Sequence, residues 1–324
     1  MGDAQARAWF EKAAQLDPGY AAPLSMLAMV EALEGLVAAA CHDAGVDPDA
    51  RPLAEVAVCC SAGLDLPADE EVVAPAVAER NWARERLLRN DVFAVLRAGS
   101  ERAWGIGVVV GSGTNCAGVG PDGAEVRFPA LGELSGDWGG GRDLAMGAVG
   151  AALRGEDGRG PRTVLQRLVP EHFGLPSVLA VVEAVHLGRI GRDRVLELAP
   201  LVFTAAGAGD HVAAGMVARQ VDEVVTMAGT AIRRLGLTDR DVDVVLGGGV
   251  LRRDDPAFLD RIRAGIAGVA AAARVRQATD PPVVGAALLG LDRLGAPPGA
   301  AGRLRATLTD DRLRARQRAT ASTL

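Results

Sequence analysis

The sequence predicts an α/β protein of two lobes, in which strands and helices alternate along the chain. With 324 residues and 49% hydrophobic content, the chain is long enough to bury the cores of two domains. Only 3% of residues are aromatic while 41 are glycine, which indicates an aliphatic core and many tight turns. Short apolar runs alternate with longer segments of helical period, as expected of such a fold.

The charge pattern argues against nucleic acid as a partner. The formal net charge is −6, and the arginines are spread along the chain rather than collected into a basic stripe. Lys12 is the only lysine and follows no glycine-rich loop. Because a Walker A loop needs a lysine directly after its glycines, that class of phosphate-binding loop is excluded.

Cysteine spacing and hydropathy indicate in which cellular compartment we expect the protein. Cys41, Cys59, Cys60 and Cys116 lack C-x-x-C spacing, and the adjacent pair lies in an apolar run typical of a buried strand. Reduced core thiols are one interpretation and metal ligands are the other. No signal peptide and no apolar stretch of about 18 residues is present. We therefore expect a soluble cytoplasmic protein that contacts no membrane.

Residues 1–34 form a predicted helical segment of their own. Apolar and small residues are spaced as in the second helix of a tetratricopeptide repeat, and the continuation resembles the start of a following repeat; the positions are Ala6, Phe10, Ala13, Pro18, Leu24, Leu27 and Ala28. Stable arrays need about three repeats, and this match covers about one. An ordinary amphipathic helical pair explains the pattern equally well.

Residues 35–100 are predicted as the remainder of a first lobe. An apolar run over Ala54–Cys60 predicts a strand, Glu70–Arg80 a helix, and Arg86–Arg89 a short strand that stops at Asn90-Asp91.

Residues 101–295 are predicted as a second lobe, and residues 296–324 as a solvated tail. The lobe opens with a hairpin and turns helical after a glycine-rich stretch at 132–141. Its later part has a strand and two proline-started helices. The predicted elements are strands Gly105–Val110, Cys116–Val119 and Val242–Leu246, and helices Pro256–Val269 and Val283–Leu294.

Three strand ends carry residues suited to phosphate chemistry. They are the carboxylate of Asp91, the turn Gly111-Ser112-Gly113-Thr114 and the run Gly247-Gly248-Gly249. Turns of small residues offer backbone N–H groups to phosphate oxygens without obstruction by a Cβ atom. Each has a structural alternative: the hairpin turn and the glycine run can serve chain reversal and close packing, and Asp91 can cap the following helix.

The order of these motifs resembles one family. The motifs are Arg89-Asn90-Asp91, Gly111–Cys116, Gly136-Asp137, Asp157–Pro161 and Leu246–Val250. Together they resemble the N-acetylglucosamine kinase and BadF/BadG/BcrA/BcrD ATPase family, over about Gly35 to Leu294. The resemblance implies a two-lobe, actin-like ATPase fold of the ribonuclease H-like type, with ATP and Mg²⁺ as cofactors.

The resemblance also implies roles for individual residues. Asp91 matches the carboxylate that accepts the proton of the attacking sugar hydroxyl, and it is the candidate Mg²⁺ ligand. The turn over Gly111–Thr114 is similar to the second phosphate loop, and Gly247–Gly249 to the adenosine-binding turn. Asn115 and Asp137, the latter preceded by Gly136, match positions that bind the sugar.

Two departures from the family pattern matter. Relatives commonly read Trp-Gly-His-x-x-Gly-Asp-Glu-Gly-Ser where this chain has Leu131–Gly140, so Asp137 is kept while Trp, His and Glu are replaced. A smaller or more anionic sugar is one consequence, and Trp138 offers either a stacking face or surface packing. In addition, residues 1–60 contain no Asp-Gly-Gly-x-[Ser/Thr]-Lys-[Thr/Ser] loop, so the first lobe is expected to be incomplete.

The resulting functional hypothesis is an ATP-dependent kinase for an amino sugar or hexose, with a homodimer left open. Because the first phosphate loop is absent, weak Mg-ATP binding and little turnover are expected. The main alternative is a non-catalytic nucleotide- or sugar-binding descendant, either a fragment or a scaffold protein. A dehydratase-activating ATPase is the third hypothesis, and it needs accessible thiolates for an iron–sulfur cluster.

Overall fold

The computed structural model describes residues 22–253 and 255–309. Within them the chain forms two compact units. The second unit is continuous, Val95–Thr279, whereas the first combines the chain up to Ala94 with the chain from Asp280 onward.

The first unit contains a two-stranded parallel sheet. Strand β1 (Ala54–Ser61) pairs with β2 (Ala83–Asn90) in a register that joins Ala54 to Ala83 and Ser61 to Asn90. Parallel strands need a crossover, which helix α2 (Pro67–Glu79) supplies. The remaining helices are α1 (Ala22–Ala44), the start of α3 (Asp91–Gly99), α11 (Pro282–Arg293) and α12 (Ala300–Thr307).

The core of the first unit lies beside α2. Val73 and Val77, one helical turn apart, are almost fully buried with Leu64 and Trp82, and Val30 of α1 joins the same cluster. On the other side, α11 packs on β1, where Gly290 lies against Val58.

The second unit is built on a five-stranded mixed sheet. The strand order is β5-β4-β3-β6-β7, with β3, β4 and β5 antiparallel and β3, β6 and β7 parallel. Strand β3 lies in the middle because its sequence Gly-Ile-Gly-Val-Val-Val is apolar on both faces. The strands are β3 (Gly105–Val110), β4 (Thr114–Val119), β5 (Glu125–Arg127), β6 (Asp243–Gly247) and β7 (Arg274–Gln277).

Seven helices complete this unit. The longest, α9, packs against β3 and β4 and buries Val217, Val221, Val224 and Ala228, which recur at helical spacing. The helices are α4 (Gly140–Glu156), α5 (Leu165–Phe173), α6 (Val178–His186), α7 (Arg192–Val195), α8 (Ala199–Gly207), α9 (His211–Arg234) and α10 (Pro256–Val269), with 3-10 turns at Gly132–Leu134 and Leu196–Leu198.

Several boundaries differ from the sequence-based expectations. Helix α1 continues through the predicted break at residue 34/35, because the single glycine there, Gly35, is tolerated inside a helix at a cost of about 1 kcal/mol and no proline accompanies it. Strand β7 was not predicted. Helix α11 belongs to the first unit rather than to the predicted segment 101–295, because its partner is β1. Part of the predicted tail forms α12, and the repeat-like positions before residue 22 lie outside the described residues.

In the described part of the chain, no single helix is long and apolar enough to cross a membrane. Two bent helix pairs, Leu165–Phe173 with Val178–His186 and Arg192–Gly207 with His211–Arg234, meet the criterion by length and composition alone.

Candidate active site

The turn between β3 and β4 presents backbone N–H groups to solvent. Its carbonyl oxygens are all engaged: that of Gly113 accepts from the Gly111 N–H at 2.9 Å, and those of Gly111 and Ser112 accept from the first turn of α4 at 2.8 and 2.9 Å. Within residues 22–253 and 255–309, neither the Ser112 N–H nor the Gly113 N–H donates a hydrogen bond. Unpaired N–H groups in a turn of small residues suit an anion.

Two glycines at the start of α4 allow it to approach this turn closely. Gly140 has a φ of 83°, and a Cβ atom there would lie 2.6 Å from the backbone of Gly113. Gly139 has a φ of 117°, and a Cβ atom there would meet both Thr114 Oγ1 and Gln220. Glycine is therefore required at both positions.

Two buried polar groups beside the turn have no partner among the described residues. They are the hydroxyl of Thr114, which is 6% exposed, and the side-chain nitrogen of Gln220, which is fully buried. The other end of Gln220 is engaged, because its Oε1 accepts from the Gly140 N–H at 2.7 Å. A buried donor or hydroxyl without a partner is costly, so a bound polar group fits this place.

Cavity A, of about 320 Å³, brings the turn Gly111–Thr114 and Asp137 together. Its walls include Ser112–Thr114, Asp137, Trp138 and Arg142. The Ser135 hydroxyl donates to the Asp137 carboxylate, and the Asp137 N–H donates to the Gly132 carbonyl at 3.0 Å. The carboxylate is thus oriented by its own loop and remains half-buried at the cavity wall.

Trp138 contributes to cavity A with part of its ring. The guanidinium of Arg219 lies 4.2 Å from the ring centroid, so one face is covered by a cation–π contact. The side chain is therefore packed within the protein as well as exposed to the cavity.

Cavity B, of about 250 Å³, joins the two glycine-rich turns. Its lining includes Gly111 and Ser112 of the first turn, Gly249 and Val250 of the second, and the ring of Phe203. The Arg253 guanidinium lies 4.5 Å from the Phe203 ring centroid. An apolar cavity with an aromatic wall and backbone edges suits a nucleoside.

The other two glycines of the run serve packing. Gly248 has a φ of 93°, and a Cβ atom there would lie 2.3 Å from the Val110 carbonyl oxygen, while one at Gly247 would lie 2.5 Å from Val95. Of the three glycines, Gly249 alone lines cavity B.

Two further predicted residues stand apart from the cavities. Asn115 lines neither cavity, and its side-chain oxygen accepts from the Cys116 N–H at 2.7 Å. Gly136, with a φ of 78°, turns the chain directly before Asp137.

Asp91 lies in the first unit, as the first residue of α3. Its neighbour Asn90 takes a capping role: Asn90 Oδ1 accepts from the Val92 N–H at 2.9 Å, and Asn90 Nδ2 donates to Asp65 at 2.8 Å. Burial raises the pKa of the Asp91 carboxyl, and the backbone N–H groups of Val92 and Asp91 lower it by less. A raised pKa is a property of carboxylates that act as general bases.

The cysteines do not offer a metal-binding centre. Burial raises the pKa of Cys60 to about 12 and also raises that of Cys59 and of the fully buried Cys116. All four cysteines, Cys41 included, are free thiols, and no group of three or more His, Cys, Asp or Glu side chains in the described part of the chain could hold a metal ion. Thiolate is the ligating form, so these positions are poor cluster ligands.

Sequence reasoning missed Arg142, Gln220 and Arg253. The glycines before Arg142 could have indicated a close approach to another turn. Nothing in the sequence separates Gln220 from other polar positions of α9, because its burial follows from packing of distant segments.

Comparison with known proteins identifies the family of this chain. A sequence profile of the BadF/BadG/BcrA/BcrD ATPase family matches residues 21–290. The chain belongs to this family. The match begins upstream of the predicted start at Gly35 and confirms the resemblance.

Two named kinases resemble the chain over most of its length. The chain is 25% identical over 196 residues to "N-acetylmuramic acid/N-acetylglucosamine kinase" of Clostridium acetobutylicum, covering 60% of this chain and 64% of the relative. It is 23% identical over 257 residues to "N-acetyl-D-glucosamine kinase" of Dictyostelium discoideum, covering 76% of this chain and 78% of that one. The chain thus spans less than two thirds of the Clostridium relative.

A solved structure supports the fold. A candidate N-acetylglucosamine kinase from Chromobacterium violaceum is 23% identical, with a TM-score of 0.56 over 77% of this chain and 80% of its own. With the family assignment, this confirms the predicted α/β, actin-like ATPase fold.

Proposed function

We propose that this protein transfers the terminal phosphoryl group of ATP to a hydroxyl group of an amino sugar or a related hexose. The observation that carries the proposal is that Ser112 lines both cavity A and cavity B. The turn Gly111–Thr114 therefore borders both cavity A, which Asp137 lines, and cavity B, which Gly249 lines. Phosphoryl transfer needs this order, with the phosphates between nucleoside and acceptor.

In the nucleotide half of the site, the chain supplies donors and an apolar surface. The N–H groups of Ser112 and Gly113 and the hydroxyl of Thr114 donate to phosphate oxygens. Gly249, Val250 and Phe203 receive the adenosine. Mg-ATP, when bound, supplies the phosphoryl group and a divalent charge that offsets the charge of the phosphates.

In the acceptor half, the Asp137 carboxylate accepts hydrogen bonds from sugar hydroxyls. Asn115 is not part of this proposal because it lines neither cavity. Asp91 accepts the proton that the sugar hydroxyl loses as its oxygen bonds to the terminal phosphorus and ADP departs. Its raised pKa supports this role.

Asp91 is also the candidate Mg²⁺ contact. Because Mg²⁺ is usually held by one or two carboxylates together with substrate phosphates, a dedicated cluster of acids is not required. The names of the two similar kinases support an amino sugar as the acceptor.

A coupled assay for ADP with N-acetylglucosamine, glucosamine and glucose tests the proposal. We expect slow, Mg²⁺-dependent ADP formation that matches the amount of phosphorylated sugar. Sugar binding in calorimetry without ADP formation would favour the non-catalytic alternative. The proposal would be refuted if none of the three sugars were bound and none were phosphorylated.

A further inference from the structure

Among the described residues, Arg253 is the only charged side chain that lines cavity B. The rest of the lining consists of glycines, apolar side chains and Ser112. A cation on an otherwise apolar wall attracts an anion more strongly than the same cation in open solvent, because its surroundings screen it less. Cavity B therefore favours a ligand that combines an apolar part with a negative charge.

The charge of Arg253 has no acidic partner in the part of the chain that the structure describes. There the guanidinium makes neither a hydrogen bond nor an ion pair, and its Nε atom is buried without a partner. The guanidinium lies over the ring of Phe203, 4.5 Å from the ring centroid. A cation–π contact attracts the cation but does not satisfy its N–H donors. An anionic ligand would supply the missing acceptor, and burial without one is costly.

The guanidinium is nevertheless held in position by its surroundings. Phe203 of α8 packs edge to face against Phe258 of α10, with ring centroids 5.2 Å apart. The chain directly before Arg253 is tied to the glycine run, because the Arg252 N–H donates to the Gly248 carbonyl at 3.1 Å. A side chain that is positioned before a ligand arrives loses little freedom on binding.

The two cavities indicate which part of a nucleotide Arg253 reaches. Ser112 lines both cavities, whereas Arg253 lines cavity B and not cavity A. In the proposed function, the terminal phosphate lies at the border of the two cavities, where the acceptor receives it. The phosphates on the side of cavity B are those that stay in ADP.

We propose that Arg253 binds a phosphate group of the ADP portion of the nucleotide. During transfer, the bond between the terminal phosphorus and the bridging oxygen breaks, and its electron pair stays on ADP. Arg253 offsets the negative charge that grows there. This inference rests on the proposed function, because it takes cavity B as the nucleotide cavity.

Calorimetry with adenosine, AMP, ADP and Mg-ATP tests the inference, because this series adds one phosphate at a time. Arg253→Met should weaken the binding of ADP and of Mg-ATP by a similar factor of at least about tenfold, which is the effect of one charge-assisted hydrogen bond. The affinity for adenosine should not change. Arg252→Met is the matched control, since Arg252 is an exposed neighbour that lines neither cavity, and it should leave all four affinities unchanged.

The pattern of losses decides between the possible contacts of Arg253. An equal loss for adenosine and ADP would place Arg253 against the nucleoside, and a loss for Mg-ATP alone would place it against the terminal phosphate. Either result overturns the inference, as does an unmodified chain that binds none of the four compounds. Should Arg253→Met fold poorly, Arg253→Gln keeps a polar end without the charge and should give the same pattern.

Turnover separates this inference from the kinase proposal. ADP formation by the unmodified chain, together with unchanged nucleotide affinities in Arg253→Met, would overturn the inference alone. The expected pattern of affinities without ADP formation from any of the three sugars would refute the kinase proposal alone.

Discussion

The fully buried side chain of Gln220 accepts a hydrogen bond from the backbone N–H of Gly140 at 2.7 Å. Gln220 lies in α9, the longest helix of the second unit, and Gly140 is the first residue of α4. A single side chain therefore joins α9 to the start of α4, which contacts the turn Gly111–Thr114. The contact fixes where α4 begins, and the first turn of α4 in turn engages the carbonyl oxygens of Gly111 and Ser112.

Replacing Gln220 should therefore weaken the protein. Gln220→Met keeps the length of the side chain but removes the acceptor of the Gly140 N–H. Leaving that buried donor unsatisfied costs about 1–3 kcal/mol in the free energy of unfolding, and removal of the unpaired Gln220 nitrogen offsets part of this cost. Urea denaturation measures the net change, and a raised midpoint would show that the unpaired nitrogen costs more than the hydrogen bond contributes.

Gly140→Ala should destabilise the protein and impair nucleotide binding. The new methyl group would meet the backbone of Gly113, and the left-handed conformation costs about 1–2 kcal/mol for a residue with a Cβ atom. Gly150→Ala in the same helix is the matched control, because a Cβ atom there meets nothing. That control should be stabilising by about 0.5–1 kcal/mol. Equal effects of both substitutions in urea denaturation would contradict the close approach.

Asp91→Asn tests the proposed base in turnover. The amide keeps the shape but cannot accept the proton, so kcat should fall about 10²–10⁴-fold while sugar affinity stays within a few-fold. Steady-state kinetics and calorimetry measure the two quantities. More than about a tenth of the parent rate in the variant would exclude Asp91 as the base.

The same substitution has a pH-dependent effect on stability. Burial raises the pKa of Asp91 in the folded state, so the folded chain holds this proton more tightly than the unfolded chain. As pH rises from the ordinary pKa of about 3.9 through the raised folded value, the free energy of unfolding falls. Asp91→Asn removes this loss, so the variant should gain stability relative to the parent as the pH rises above about 4. A difference that stays constant over these pH values would argue against the raised pKa.

Asp137→Ala should act mainly on sugar binding. A carboxylate that accepts sugar hydroxyls contributes roughly 1.5–3 kcal/mol per hydrogen bond to a charged group. Calorimetry with N-acetylglucosamine, glucosamine and glucose measures the loss. Asp143→Ala is a useful comparison, because Asp143 also lines cavity A but its carboxylate already accepts from the Gly139 N–H at 2.7 Å, so its loss should affect stability as well. Unchanged binding of every sugar in Asp137→Ala would place that residue outside the acceptor site.

Local sequence signals predicted those elements whose ends are marked by residues with strong local preferences. Pro256 and the buried spacing that follows it predicted α10 at its observed bounds. Strand β7 escaped prediction because Arg274–Gln277 is four residues long and lies at a sheet edge, where charged residues alternate with others. Its pairing with β6 is a non-local contact that no short window reports.

The residues of the candidate site were also predicted only in part. The glycine-rich turn was predicted because its residue types suit phosphate binding, whereas Asp137 was predicted only through the resemblance to the family. Whether a glycine lines a cavity or permits packing depends on the segment opposite, which is why Gly249 and Gly248 differ although they are neighbours.

The path of the chain through the two units also sets an order of synthesis. A ribosome completes the second unit when it reaches Thr279, whereas β1 gains its packing partner α11 only with the following residues. Domains generally fold as units during translation. The second unit can therefore fold while β1 and β2, which are made earlier, still lack the packing of α11. In a nascent chain, the exposed parallel pair β1–β2 is therefore the segment most in need of protection from premature association.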